Sequence, residues 1–398
     1  MTSPPFPIVR LKPKTDARRL RFGHPWVFAN ELVLDRRTKA IEAGAIAVLE
    51  DADRTEIGLI AFNGASKIAG RVLSRDRDVS IDRDWIKGRL HNALGLRERV
   101  YETPFYRWIH AEADGLPGVV VDRFGDTAVF QANAAWADVR KADFASALQE
   151  LGVSNVILNG TGRSRALEGL EETREVLLGS SPVSPIAVPM NGATYMADLM
   201  GGQKTGLFYD QRPNHAFVQN FAAGETVLDV FSHVGGFGLA ALAAGAQSVL
   251  AVDGSDPALE LARSGAAHMG ASERFETENG DAFEVMSRLG EEGATFGIVV
   301  CDPPAFAPAK PALEAGLRAY ERVARLAAPL VAPGGILALC SCSHAAILDK
   351  FRQASLRGIG RAGRKAQILH TGFAGPDHPQ HPALTESGYL KSIFLRLE

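Results

Sequence analysis

Two groups of residues in the last half of the chain have types and spacings that could do chemistry. In LDVFSHVGGFGLAALAAGA an apolar run closes on Asp229, a turn with Gly235, Gly236 and Gly238 follows, and a helical pattern opens. The next apolar run, VLAVD, ends in a second acid, Asp253. Glycines let backbone approach a ligand without interference from Cβ. An acid closing the second strand is placed to accept both hydroxyls of a ribose. That pattern alone serves NAD as well as S-adenosylmethionine. Two features favour the latter. The turn departs from the G-x-G-x-x-G spacing that seats a pyrophosphate on a helix N-terminus. In addition, Asp281 of NGDAF stands where an adenine amino group could donate. Asp281 also suits an N-cap for the helix expected from Ala282, and its two oxygens could serve both ends.

The second group faces the first. A later apolar run ends in Asp302-Pro303-Pro304-Ala305-Phe306. Two prolines after a buried strand stiffen the turn, so Asp302 projects at the carboxyl edge of the sheet, where ligands of open α/β sheets bind. A flat base could stack on Phe306 with Asp302 on its polar edge. The following strand runs into Cys340-Ser341-Cys342-Ser343-His344. Alternation puts Cys340 and Cys342 on one side, Cys340 deeper and Cys342 at the strand end. A free cysteine is commonly buried and inert. Here its placement suits a different task. Carbon 5 of a pyrimidine becomes nucleophilic once a thiolate adds at carbon 6, and Asp302, protonated or through water, would offset charge at N3 of a cytosine.

The elements that must position these residues are legible as apolar runs. VLDVF (227–231), VLAVD (249–253), FGIVVCD (296–302) and ILALCS (336–341) alternate with Ala- and Leu-rich helical stretches. Continuous apolar strands separated by helices indicate a parallel sheet covered on both faces. Upstream, short runs broken by Gly and Asp (IVRL, WVFA, AIAVLE, EIGLIAF, IAGRVL) suggest a small barrel or sheet. Ile81, Trp85, Ile86, Leu90, Leu94 and Leu96 fall at helical spacing and predict an amphipathic connecting helix. SSPVSPIAVP, 180–189, reads as a linker.

Composition excludes several classes. With 398 residues, 46% hydrophobic and 22% charged, the chain has the balance of a globular protein of two or three domains. No apolar run reaches the ~18 residues of a membrane span, and no signal peptide is apparent at the start. Three cysteines crowded into the last quarter suit a reducing cytoplasm. The net charge of −3 hides two basic runs: Arg10, Lys12, Lys14, Arg18, Arg19 and Arg21 against one acid, and six more Lys/Arg with no acid between Lys350 and Lys365. Each alone could be a solvated face; together they favour an anionic polymer as partner.

At these residues the chain resembles the bacterial 23S rRNA cytosine-C5 methyltransferases that combine a PUA domain, a central α/β domain and a class I methyltransferase domain. RRLRFGHPWVFANEL (18–32) is similar to the family's PUA opening and EADGLPGVVVDRFGD (112–126) to its central domain. DLMGGQKTGLFYDQRPN (198–214) is the most specific match, joined by the glycine turn, DPPAF, SCSH and DHPQHP…ESGYLK. The resemblance spans essentially the whole chain. It implies an α/β fold in three parts: a PUA-like β-barrel over 1–76, a small central α+β domain with its connecting helix over 77–184, and a class I, Rossmann-like methyltransferase domain over 185–398.

It also implies roles. Gln203, Lys204, Thr205, Gly206, Phe208, Asp210 and Arg212 would sit over cofactor and base. Asp229, Phe231 and Gly235 would form the cofactor turn, with Asp253 on ribose and Asp281 on adenine. Asp302 would be the pocket acid, in reach of the cofactor as well, and Cys342 the nucleophile. Arg10–Arg21 would contact phosphates of large-subunit ribosomal RNA. Better-known RNA cytosine methyltransferases carry D-x-P-C, whereas Asp302-Pro303-Pro304-Ala305 lacks that second cysteine. A single-cysteine mechanism follows, with His344 one candidate for the base at carbon 5. No metal site is assigned. A strand or helix edge could pair two chains into a homodimer, although no sequence feature establishes one.

Two other readings stay open at this point. A D-P-P-aromatic turn also serves enzymes that methylate exocyclic purine amines, for which Cys342 would be dispensable. A non-catalytic RNA-binding assembly factor is the third, and it would have no need of Asp229, Asp253, Asp281, Asp302 and Cys342 together.

Overall fold

The computed structural model describes residues 6–201 and 206–398, and these form two compact units that are not contiguous in sequence. The first runs to Val183 and takes back Leu199–Gly206 and Pro376–Leu384; the second comprises Ser184–Asp198, Leu207–Gly375 and Thr385–Glu398.

The first unit holds two five-stranded sheets. In one, Ile8–Arg10 pairs parallel with Ala45–Glu50, and Glu56–Phe62, Gly70–Ser74 and Trp26–Val27 follow antiparallel. Val9, Leu11, Leu20, Val27, Leu49, Ile60 and Phe62 are buried on one of its faces. Ile46, Val48, Leu59 and Leu73 join a second core with Trp108, Phe130, Trp136 and Phe144 of the other sheet. Burying apolar area on both faces in this way is the main favourable term of folding. The expected connecting helix is Arg83–Val100, with Asp82 accepting from the Trp85 amide as N-cap. Its buried stripe is Ile86, Leu90, Ala93 and Leu94, but Leu96 is 44% exposed and Arg97 takes an inward place. Arg97 can do so because every side of its guanidinium is satisfied: both Asp114 oxygens at 2.7 Å, Arg107 O at 3.0 Å and Asp377 O at 2.8 Å.

The segment expected to be a linker ends in structure. Ile186–Met190 pairs with Ala193–Ala197 in an antiparallel hairpin that buries Val188 and Met190. Prolines mark turns on average, yet Pro189 lies in a two-stranded ribbon where a missing amide is tolerated.

The second unit is built on seven strands: β1 Thr226–Val230, β2 Ser248–Asp253, β3 Phe275–Asn279, β4 Phe296–Cys301, β5 Val331–Ser341, β6 Ala366–Gly372 and β7 Lys391–Leu397. Their order is β3-β2-β1-β4-β5-β7-β6, with the first five parallel and β7 antiparallel to both neighbours. Helices α1 Arg212–Gln219, α2 Gly236–Ala243, α3 Asp256–His268, α4 Ala282–Glu291, α5 Leu313–Ala327 and α6 Leu348–Arg361 accompany the sheet. Leu228, Val230, Val299, Leu337 and Leu339 of the central strands are buried. This is a Rossmann-like α/β unit. The parallel expectation held for β1–β5, whereas β6 and β7 turn the sheet mixed. No helix among the described residues is long and apolar enough to cross a membrane.

Candidate active site

The order reverses at β1, whose neighbours are β2 and β4, and ligands of open α/β sheets bind at the carboxyl ends of the strands flanking such a reversal. Leaving β1, the chain places Phe231 at φ +62°, His233 at +51° and Gly235 at +80°. Two non-glycine residues in the left-handed region cost of order 1–3 kcal/mol each, and hydrogen bonds hold them there. Asp253 Oδ2 accepts from the His233 amide at 2.8 Å, its Oδ1 accepts from Ser255 at 2.9 Å, and Ser232 N donates to Val252 O at 3.0 Å. Asp253, expected on a ribose, thus builds the turn.

Asp229 is fully buried beneath that turn. Its Oδ2 accepts from Gly238 N at 2.8 Å, while Oδ1 has no partner. Burial, opposed by the Gly238 amide and reinforced by the Asp253 charge, pushes its carboxyl up to about 7. Gly238 must lack a side chain: a Cβ there would stand 2.8 Å from Val249 Cγ1 and 3.3 Å from Asp229 Oδ2. Asp281 is the N-cap of α4, its Oδ1 accepting from Phe283 and Glu284 at 2.9 and 3.1 Å. Phe231, Phe283 and Phe306 form an aromatic group with ring centroids 6.2 to 6.4 Å apart, and Phe306 also lies 5.0 Å from Tyr320.

β4 and β5 are neighbours in register Cys301↔Leu339, which brings the two chemical segments together. Cys342 Sγ lies 4.0 Å from the carbonyl oxygen of Pro303, the residue after Asp302. Cys301 and Cys340 are buried and Cys342 is half-buried. Burial raises both buried thiols, Cys340 well above the ordinary range. A chain of hydroxyls fixes the segment beneath. Ser341 Oγ donates to Tyr320 Oη at 2.9 Å, Tyr320 Oη and Ser343 Oγ are 2.8 Å apart, and Ser343 Oγ accepts from the Ala307 amide at 2.9 Å.

Of the run 203–212, Gln203, Lys204 and Thr205 lie outside the described residues. Phe208 lies against His233 of the turn, centroids 5.0 Å apart, Asp210 accepts from Tyr389 Oη at 2.6 Å, and the Arg212 guanidinium covers the Tyr209 ring. Four residues with no role assigned from sequence join them. Asn214 donates to Gln211 Oε1 at 2.6 Å, which turns the Gln211 amide so that Nε2 donates to Asp302 Oδ2 at 2.9 Å. His215 packs its ring 4.5 Å from Phe237, and burial lowers it to about 3, so it is neutral. Lys391 is buried where β7 meets the end of β5. Gln211 and Lys391 stand inside the quoted runs DLMGGQKTGLFYDQRPN and ESGYLK, which was the available signal.

The basic stretch of the first unit is largely engaged. Arg10 pairs with Glu50 at 2.6 Å, Arg19 with Glu31 at 2.5 Å and Arg21 with Asp51 at 2.6 Å, while Lys12 donates to Asn30 O. Lys14 and Arg18 are exposed and make no ion pair among the described residues. In the second basic run Arg357 and Arg361 pair with Glu321, and Arg364 donates to Ala328 O and Val331 O, a structural use of those charges.

Residues 136–396 match the family of S-adenosylmethionine-dependent methyltransferases, and 9–75 match a PUA-like domain. Among curated relatives, ribosomal RNA large subunit methyltransferase I of Shewanella amazonensis is 34% identical over 98% of this chain and 99% of its own. The protein of that name from Klebsiella pneumoniae is 32% identical over the full length of both. Among solved structures, a Streptococcus mutans protein described as a SAM-dependent methyltransferase superposes with a TM-score of 0.80 at 19% identity, over 98% of this chain and 100% of that one. A methyltransferase solved in complex with SAH gives 0.80 at 20% identity, over 98% and 99%. One feature fits such a ligand: Asp229 offers a buried carboxylate oxygen without a partner.

Proposed function

The chain belongs to the ribosomal RNA large subunit methyltransferase I family of S-adenosylmethionine-dependent methyltransferases, and from that premise we propose that it methylates carbon 5 of a cytosine in large-subunit ribosomal RNA, with Cys342 as nucleophile. The observation that carries the reading is the half-buried Cys342 thiol beside the Asp302-Pro303 turn, 4.0 Å from the Pro303 carbonyl.

Asp229, Phe231 and Gly235 would hold the cofactor from below, Asp253 its ribose and the free oxygen of Asp281 its adenine. Gln203, Lys204, Thr205, Phe208, Asp210 and Arg212 would cover it. S-adenosylmethionine supplies an electrophilic methyl group on a cationic sulfur. The chain's own residues make the acceptor. Thiolate Cys342 forms a bond from Sγ to carbon 6 of the cytosine, and the displaced electron pair makes carbon 5 nucleophilic. Asp302, oriented by Gln211, would donate to N3 in its protonated form or through water and so offset the negative charge that develops there. Loss of the carbon-5 proton then returns the electrons and expels the thiolate. Phe306 would stack on the base. The PUA-like domain would dock the RNA, with Lys12, Lys14 and Arg18 on phosphates and the paired Arg10, Arg19 and Arg21 adding positive potential.

The test uses ribosomal RNA lacking the modification, labelled S-adenosylmethionine, and wild-type protein beside Cys342→Ala. The product RNA is digested and its methylated nucleoside identified by mass spectrometry. The expected outcome is 5-methylcytidine from wild type and none from the variant. An N-methylated purine made equally by both would overturn the reading.

A further inference from the structure

Lys391 is the first residue of β7, opposite Ser341 in the β5–β7 ladder. Its side chain passes the end of β5, and Nζ donates to Ser343 O at 2.6 Å and to Ala346 O at 2.8 Å. It is 4% exposed and forms no salt bridge to a carboxylate among the described residues. An ammonium removed from water without a counter-charge is costly. Two carbonyls satisfy two of its three donors and supply only partial charge. The acidic group that acts on it is the thiol of Cys342, adjacent to Ser343; burial lowers the ammonium to about 8, and the neighbouring sulfur opposes that shift.

The two carbonyls it grips belong to the turn 342–346, which follows β5 and presents the thiol. The hydroxyl chain through Tyr320 anchors the same turn through Ser343. Among the described residues, the titratable groups that act on the sulfur include Lys391 on β7 and Tyr320 on α5; Asp302 precedes Pro303 on the facing turn, and His344 stands in the 342–346 turn itself. Lys391 is the ammonium among them. A Cys342 thiolate would complete its pairing, and a fixed ammonium lowers the cost of forming that thiolate.

From the contacts at the end of β5 we infer that Lys391 is a positioning residue for Cys342: it holds the 342–346 turn by two carbonyls and supplies the positive charge that stabilises the thiolate. The inference rests on Cys342 being the reacting sulfur for its meaning in catalysis, but its test does not.

The rate of iodoacetamide alkylation of Cys342, located by peptide mass spectrometry, is measured against pH in wild type, Lys391→Gln, Lys391→Met and Lys391→Arg. Glutamine keeps a donor for a carbonyl and removes the charge; arginine keeps the charge. Expected for both uncharged variants is an alkylation midpoint about one pH unit higher, with about tenfold slower labelling below it, and a midpoint near wild type for arginine. Turnover should fall in parallel at unchanged affinity for S-adenosylmethionine. Should methionine fail to fold, judged by thermal melting, glutamine and arginine decide. Wild-type titration of Cys342 in Lys391→Gln overturns the inference. Full activity of Cys342→Ala would overturn the proposed chemistry instead, and the thiol titration would still read the lysine.

Discussion

Gln211 Nε2 and Asp302 Oδ2 are 2.9 Å apart although 91 residues separate them in sequence. The glutamine is buried at the start of α1 and is itself held by Asn214, so it aims the carboxylate. A hydrogen bond of this kind contributes about 0.5–1.5 kcal/mol. Gln211→Ala should therefore lower kcat by up to about tenfold, with the affinity for S-adenosylmethionine within about twofold of wild type. Steady-state kinetics beside calorimetric binding checks this, and an unchanged kcat would remove Gln211 from the site.

Asp229 carries a pH signature. Burial raises its folded carboxyl to about 7, against an ordinary value near 3.8. Between these values the folded state holds a proton that the unfolded state has released, so this group's contribution to stability declines as pH rises from about 4 to 7 and is constant above. A cationic cofactor favours the carboxylate. Binding of S-adenosylmethionine at about pH 6 should then release close to one proton, seen as a dependence of calorimetric heat on buffer ionisation enthalpy. In Asp229→Asn that release should vanish. Equal heats in all buffers for wild type would contradict the assignment.

Tyr320 is the link of the hydroxyl chain. Tyr320→Phe leaves the buried hydroxyls of Ser341 and Ser343 without their common partner, a loss of about 1–3 kcal/mol. Thermal melting should fall, and turnover should fall further than cofactor affinity because the Cys342 turn loosens. A variant as stable and active as wild type would show that the chain is dispensable.

Glu168 anchors the first unit. It accepts from Ser66, Arg71 and Asn63, and Arg71 also pairs with Glu112, which accepts from Trp26 Nε1 at 2.7 Å. Removing one partner of a buried ion pair leaves an uncompensated charge, so Glu168→Ala should cost about 3–5 kcal/mol. Denaturant melts followed by tryptophan fluorescence would read this, and a loss under about 1 kcal/mol would show that water replaces the carboxylate.

What could be read from sequence depended on how local the cause was. β1, β2, β4 and the end of β5 are buried on both faces and spell continuous apolar runs. β6 was invisible because Gln367, Ile368, Leu369 and His370 are exposed and its pairing with β7 comes from the distant chain end. Asp281 was legible as a cap because its partners are two and three residues away. The links from Gln211 to Asp302 and from Lys391 to Ser343 span 91 and 48 residues, and no spacing rule reaches that far. The basic stretch illustrates the same limit. Its charge was evident, while Glu50, Glu31 and Asp51, which engage half of it, are brought in by folding.

Arg97 donates to the carbonyl of Asp377 across 280 residues, and His378 beside it lies 5.0 Å from the His110 ring. Pro376–Leu384 belongs to the first compact unit. On a ribosome adding about 5–20 residues per second, roughly 14 to 56 s pass between the synthesis of Arg97 and that of its last partner. The first unit therefore cannot finish folding in order of emergence: nearly the whole chain must be made before its final segment arrives. A protein severed near residue 184 would lack that segment on one side, and on the other would carry Asp377 and His378 without the residues that bury them.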